Sequence, residues 1–302
     1  MSKRLIVNAD DLGLTKAVTD GIFAAHEAGV LTSTSMMVNQ PATDYAVAQL
    51  HKYPKLGVGI HLNICQGRPT LPAEQVPSLV AENGEFLRPD IIARKFSNWA
   101  VSSAELEAEY RAQIQAAKAL GIELTHADSH HHMHLFFGAV VPFRQALQAE
   151  GITRVRASRI RCWPNQGRIG GPHQGSTARR LAVSAYMELL TATVLASFWS
   201  PCCRVETHLD AGETDTSSMV QAWQETLQAM PNGVFELVSH PAFPDSENEN
   251  ADRIHDKRVK ELALLTSADF RRVLRSAGIC LVSYADVAEQ PDVRSSTALE
   301  VV

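Results

Sequence analysis

The chain has 302 residues, a formal net charge of −5, and 45% hydrophobic and 20% charged residues. That balance excludes a disordered chain and offers no basic face for nucleic acid or an anionic membrane surface. Five cysteines (Cys65, Cys162, Cys202, Cys203 and Cys280) are irregularly spaced without a CxxC pair, so neither a disulfide framework nor a cysteine zinc site is expected and a reducing cytoplasm fits best.

The first apolar run, Arg4 to Asp10, is too short for a signal-peptide core and reads as a buried strand. Ala17 to Ala28 is helical and stops at Gly29, a C-cap residue. Val30 to Val38 is a second strand, Ala42 to Tyr53 a helix ended by Pro54, and Gly57 to Asn63 a third strand. A loop rich in Pro, Gly and polar residues covers Gln66 to Pro89. Glu105 to Leu120 is an amphipathic helix, Glu123 to His130 the fourth strand, and Phe143 to Glu150 the next helix. Thr153 to Ala157 is a short strand, followed by an irregular stretch at Ile160 to Gly175. Leu189 to Trp199 reads as a buried helix, and no run is long enough to span a bilayer. Arg204 to Leu209, Val234 to Ser239 and Ile279 to Tyr284 complete about eight strands.

Strands alternating with helices predict an α/β fold, a single-domain β/α barrel, distorted or with seven to eight strands. The domain is expected over residues 1–290, with a flexible tail at 291–302. An open doubly wound sheet is the alternative, but Asp10-Asp11-Leu12-Gly13 stands where its glycine-rich loop belongs.

Polar residues collect at strand ends. Asp10 and Asp11 end the first strand, His61 the third, Arg156 the fifth, His208 the sixth and His240 the seventh. In β/α barrels these ends form one face, where active sites sit. Adjacent carboxylates on a regular strand point apart, but a turning strand end brings both to one cavity. One could then bind a metal and the other act as a base; capping of the next helix is the competing role. His61, taken alone, reads as a core histidine. Arg156 could bind an oxyanion or pair with an Asp.

The strongest signal is His126-Ala-Asp128-Ser-His130-His-His132-Met-His134, five histidines in nine residues of a chain with 12. Alternation would put Asp128, His130, His132 and His134 on one side were the strand to continue. Neutral imidazole is the commonest protein ligand for transition metals. Two or three of these residues would orient ligands or touch substrate.

The chain resembles the YdjC-like carbohydrate deacetylases, which include chitooligosaccharide and hopanoid-biosynthesis-associated deacetylases. The resemblance rests on NADDLGLT (8–15), GVLTSTSMMVN (29–39), GVGIHLN (57–63), THADSHHHMH (125–134), ELVSHPAF (236–243) and KRVKELALLTS (257–267). It implies a β/α-barrel-like fold and hydrolysis of N-acetyl groups on N-acetylglucosamine-containing carbohydrates, with a divalent cation, Mg2+ or Zn2+. By motif, Asp11, His61 and His130 would hold the metal. Asp10 would be the general base and His240 the general acid. Asp128, His132, His134 and Arg156 would support ligands or touch the acetylated amino-sugar substrate. Homodimers are common in the family. Ser239 stands where Cys is common, and residues 160–201 match poorly, as a substrate lid would. Metal-dependent hydrolysis of a phosphoester or cyclic amide, and non-catalytic sugar or metal binding, are the competing functions.

Overall fold

The computed structural model describes residues 2–159, 177–206, 215–245 and 255–287. In chain order the elements are β1 (Lys3–Leu12), α1 (Lys16–Glu27), β2 (Ser33–Met36), α2 (Thr43–Leu50), β3 (Gly57–Leu62), α3 (Pro89–Ser97), α4 (Ser103–Ala119) and β4 (Leu124–Ser129). There follow α5 (Val140–Ala149), α6 (Thr177–Ala192), β5 (Arg204–Glu206), α7 (Thr216–Ala229), β6 (Gly233–Ser239), α8 (His255–Thr266), α9 (Ala268–Ser276) and β7 (Ile279–Leu281). The strand order is β4-β3-β2-β1-β6-β5, with β7 also pairing β1. Every pairing in that sheet is parallel, as strands joined through helices require.

The sheet curls into a barrel. Ala127 donates its backbone N–H to the Arg154 carbonyl at 3.0 Å, and Arg156 returns one to Ala127 at 3.1 Å. On the other side Arg204 donates to Arg159 at 2.9 Å. The stretch 153–159 therefore lies between β4 and β5 and closes the circuit. This is the expected fifth strand, present as isolated bridges and not as a full ladder. The result is the distorted barrel with seven to eight staves that the sequence predicts.

Local chemistry sets the element ends. Thr15 caps α1 by accepting from the Val18 N–H at 3.2 Å, and Ser102 accepts from Glu105 at the start of α4. Some expectations need correction. The expected buried helix at Leu189 to Trp199 stops at Ala192, and Leu189 is 60% exposed. Helices α3, α7, α8 and α9 add to those read from sequence. Cys203, expected as a reduced thiol, is disulfide-bonded, whereas Cys65 and Cys280 are free. The irregular stretch 160–175, His208 and the tail 291–302 lie outside the described residues. No helix among the described residues is long and apolar enough to cross a membrane.

Strand alternation divides the molecule into an apolar jacket and a polar lumen. Leu5, Val7 and Ala9 of β1 and Phe235 and Leu237 of β6 face outward into one helix-covered core. Ile60 and Leu62 of β3 and Ala127 of β4 face a second core under α4 and α5. The intervening residues turn inward. Ile6, Val234, Trp199, Tyr284 and Val287 form a small apolar floor. Above it stand Asn8, Asp10, Ser35, His61, His126, Asp128, Arg156 and Glu236, each at most 2% exposed. Branched aliphatic side chains usually fill such a barrel, so a charged lumen marks the part of the sequence given over to chemistry.

Gly59 makes room for that lumen. A Cβ there would lie 2.4 Å from Cε1 of His126. The His126 ring cannot yield, because it stacks on Tyr284 at 3.8 Å and 10°. Gly59→Ala is expected to destabilise by about 1–3 kcal/mol, as overpacked cores do. A lowered urea midpoint would register it.

Candidate metal centre and active site

The site forms where β1 ends. Asp11 has φ +71°, in the left-handed region that Asp tolerates better than most residues, and the β1–β2 register shifts between Ala9 and Leu12. This irregularity lets neighbouring carboxylates serve one cavity. Asp10 stays in the lumen register, and Asp11 turns into the mouth beside it.

The third and fourth strands supply the imidazoles. His61 Nε2 lies 3.3 Å from Asp11 Oδ1 and 3.9 Å from Asp10 Oδ2. Its other nitrogen, Nδ1, meets Asp128 Oδ1 at 2.7 Å. β4 ends at Ser129, and the chain enters a 3-10 turn with His131 and His132 both left-handed, at φ +51° and +53°. The turn presents His130 to the mouth, its Nδ1 3.0 Å from Asp11 Oδ1 and its Nε2 3.0 Å from Gln66 Oε1.

Two arginines hold the two aspartates apart. Arg156 grips both oxygens of Asp10, Nη1 donating to Oδ2 at 2.7 Å and Nη2 to Oδ1 at 2.5 Å. It also meets Asp128 at 2.6 Å and Glu236 at 2.9 Å. Arg258, from α8, donates to Asp11 Oδ2 at 2.6 Å. His240 follows β6 with Nε2 3.8 Å from Asp10 Oδ2. Its backbone N–H donates to Glu261 of α8.

The electrostatics follow this wiring. Burial alone would raise Asp10, but the adjacent Arg156 guanidinium outweighs it and holds the carboxyl below its ordinary value. Burial likewise opposes ionisation of Asp11, yet Arg258 and His130 keep it well below the usual carboxylate range. For His61, burial disfavours the cation, but Asp128 and Asp10 raise the ring to about 10. Both aspartates are thus anions at neutral pH.

Asp11 Oδ1, His61 Nε2 and His130 Nδ1 converge on one point. Asp11, His61 and His130 can each offer one ligand atom within 4.8 Å of the others. Asp11 Oδ1 is buried, yet no donor meets it at hydrogen-bonding geometry. A cation fits that observation: it would satisfy the orphaned oxygen and both ring nitrogens. Two imidazoles with one carboxylate form the three-ligand set of catalytic zinc sites, while Mg2+ prefers all-oxygen ligands. Asp128 supplies the carboxylate that orients a ligand histidine through its second nitrogen. Loading would displace the His61 proton, so ion uptake at neutral pH would release acid.

A family model for YdjC-like proteins matches residues 4–276. The chain belongs to the YdjC-like family. A carbohydrate deacetylase from Halalkalibacterium halodurans is 46% identical over 266 residues, covering 87% of this chain and 95% of the relative. One from Brevibacillus brevis is 31% identical over 286 residues, covering 94% and 99%. The crystal structure of an Enterococcus faecalis protein described as a candidate cellobiose-phosphate cleavage protein matches with a TM-score of 0.75. It is 28% identical and covers 94% of this chain and 98% of that one.

In this YdjC-like protein the structure brings Asp10, Asp11, His61, Asp128, His130, Arg156 and His240 together. The histidine run behaves differently from strict alternation, because the chain turns at His130. His134 is 1% exposed, bonded to Ser129 Oγ at 2.6 Å and stacked on Phe143 at 4.5 Å. It braces the turn from beneath. His132 is half-buried within the turn. Arg156 pairs with carboxylates, and with 0% exposure it is sealed away from any ligand in the mouth. Sequence reasoning gave no role to Gln66, Glu236, Arg258 or Glu261. The last two carried a signal: opposite charges three apart on one face of the KRVKELALLT helix.

Acid should undo part of this packing. Burial holds His126 neutral, its value lowered to about 3, and holds His134 well below its ordinary value. The unfolded chain binds these protons below about pH 6.5. Stability from His126 is therefore full above pH 6.5 and lost as pH falls toward 3. In chelated protein, His126→Gln should flatten the pH slope of unfolding free energy between 6.5 and 4, by about 1.4 kcal/mol per pH unit. Identical slopes in urea titrations would contradict the neutral assignment.

Proposed function

We infer that this chain is a metal-dependent carbohydrate deacetylase, hydrolysing the N-acetyl group of N-acetylglucosamine-containing carbohydrates to acetate and a free amino sugar. One observation carries the reading: an orphaned Asp11 oxygen between two imidazoles, beside a separately clamped Asp10 and a partly exposed His240. The names of the H. halodurans and B. brevis relatives support the substrate class.

A divalent ion held by Asp11, His61 and His130 would polarise the acetyl carbonyl and lower the pKa of water, both needed because an amide is a poor electrophile. The chain's own groups do the rest. Asp10 Oδ2 faces the mouth and takes the proton of the attacking water. Arg156 keeps Asp10 ionised and fixed, so the carboxylate needs no reorientation when the proton moves. Its lowered basicity makes the acceptor transient, and the proton passes on. His240 Nε2, 3.8 Å from the same Asp10 oxygen, is placed to hand a proton to the leaving nitrogen, which cannot depart as an anion. The donor set favours an ion of zinc type over magnesium.

The test is acetate release from diacetylchitobiose, measured before and after chelation and again after adding back a divalent ion. Release that falls by at least about 10²-fold and is restored by the ion is expected, since the proton-transfer groups alone supply little. Chelator-insensitive release would refute the metal; absence of release across chitooligosaccharides and N-acetylglucosamine glycolipids would refute the deacetylase reading.

A further inference from the structure

Beside the Asp11–His61–His130 centre lies a buried thiol that the proposed reaction does not use. Cys65 follows the end of β3 and is 5% exposed and free. Asn63 fixes its place: Asn63 Oδ1 accepts from the backbone N–H groups of Cys65 and Gln66, both at 3.1 Å. Gln66 in turn bonds His130 Nε2 at 3.0 Å. After the neighbouring strand β4, the left-handed turn sets the exposed His131 against His130, ring centroids 4.3 Å apart. Ligand atoms of Cys65, His130 and His131 lie within 4.8 Å of one another.

The geometry points to a second, soft-metal site formed by Cys65, His130 and His131, which competes with the catalytic set for His130. One sulfur and two imidazoles are the ligands of zinc, cadmium and cobalt, and a hard ion such as magnesium has no use for them. Zn–S of about 2.3 Å and Zn–N of about 2.0–2.1 Å in a tetrahedral site put ligand atoms about 3.3–3.6 Å apart. A movement of up to about 1 Å, open to the exposed His131, closes the difference. Burial pushes the Cys65 thiol up to about 12, which argues against a free nucleophile. Ion binding forms the metal–sulfur bond and releases the thiol proton to solvent. Because His130 belongs to both sets, an ion drawn to the thiolate withdraws that ring from Asp11 and His61. Excess soft metal should therefore inhibit the same protein that a first equivalent activates.

The test is a Co2+ titration of the full chain after chelation, with folding checked by circular dichroism. The wild type should develop a near-ultraviolet sulfur-to-cobalt charge-transfer band that Cys65→Ser lacks. His131→Ala, at an exposed position, should weaken the cobalt affinity of that band by at least about tenfold, the lower end of what even an outer-shell partner contributes. A wild-type spectrum without the band, or one unchanged in Cys65→Ser, overturns the site. A second arm measures acetate release with zinc beyond one equivalent, where the wild type should lose activity and Cys65→Ser should not. Equal inhibition of both overturns the competition. The inference rests on the metal-centre geometry, and the spectral arm needs no turnover, so failure of the deacetylase reading would be seen separately.

Discussion

Arg156→Met is expected to destabilise the protein by about 3–5 kcal/mol, the cost of breaking a buried pair by removing one partner. Arg156 is fully buried and is held by three carboxylates, Asp10, Asp128 and Glu236. Without it, burial would oppose their ionisation against His61 alone at Asp10 and Asp128, and Glu236 is already held above its ordinary value despite the arginine. The loss is a large share of a typical stability of about 5–15 kcal/mol. Urea unfolding at neutral pH should show it, and adding Glu236→Gln to the Met variant should return part of it by removing one stranded charge. Arg156→Lys should recover little, because one ammonium cannot grip both oxygens of Asp10. A Met variant within about 1 kcal/mol of wild type would mean that the lumen is held by its hydrogen bonds and packing, not by this cation.

Strand ends carried most of what the sequence could say about the site. Asp10, Asp11, His61 and His240 are visible because each interrupts or ends an apolar run where a β/α barrel gathers its strand ends, and Asp128 and His130 because five histidines crowd nine residues there. The barrel itself was legible for the same reason, from runs such as Gly57 to Asn63 alternating with helices. Backbone irregularity was not legible. The register shift at Asp11 and the double left-handed turn at His131 and His132 depend on φ values that non-glycine residues seldom adopt. An extended continuation after Ser129 was the default, and it put His134 on the wrong side. Arg156 illustrates another limit. Its residue type suits an oxyanion or a carboxylate equally, and only three-dimensional closure through residues 153–159 shows the carboxylates that claim it. Helix α8 lies far along the chain, so nothing local tied Arg258 to Asp11.

Asp10→Asn should lower the rate of acetate release by about 10²–10⁴-fold while leaving metal content unchanged. The two halves of that expectation come from different contacts. Asp10 lies outside the trio whose ligand atoms converge, and Asp11 keeps its own partner in Arg258. The ion should therefore bind as before, whereas Asp11→Asn should lose ion and rate together. The rate falls because an amide oxygen cannot accept the water's proton at neutral pH. Asn at this position also turns a donor toward Arg156, in place of one of two carboxylate oxygens that now accept from it. A stability loss of about 1–3 kcal/mol should accompany the rate loss, the cost of an unsatisfied buried group. Assays therefore belong well below the unfolding midpoint, with metal content and circular dichroism checked on the same sample. His240→Gln separates the two proton transfers. If Asp10 is the base and His240 the acid, the Gln variant should recover on a substrate whose leaving group departs without protonation, such as a nitrophenyl acetate, and Asp10→Asn should not. Full activity in Asp10→Asn with metal still bound would move the base to another group in the mouth, with His240 the next candidate by its 3.8 Å separation from the same oxygen.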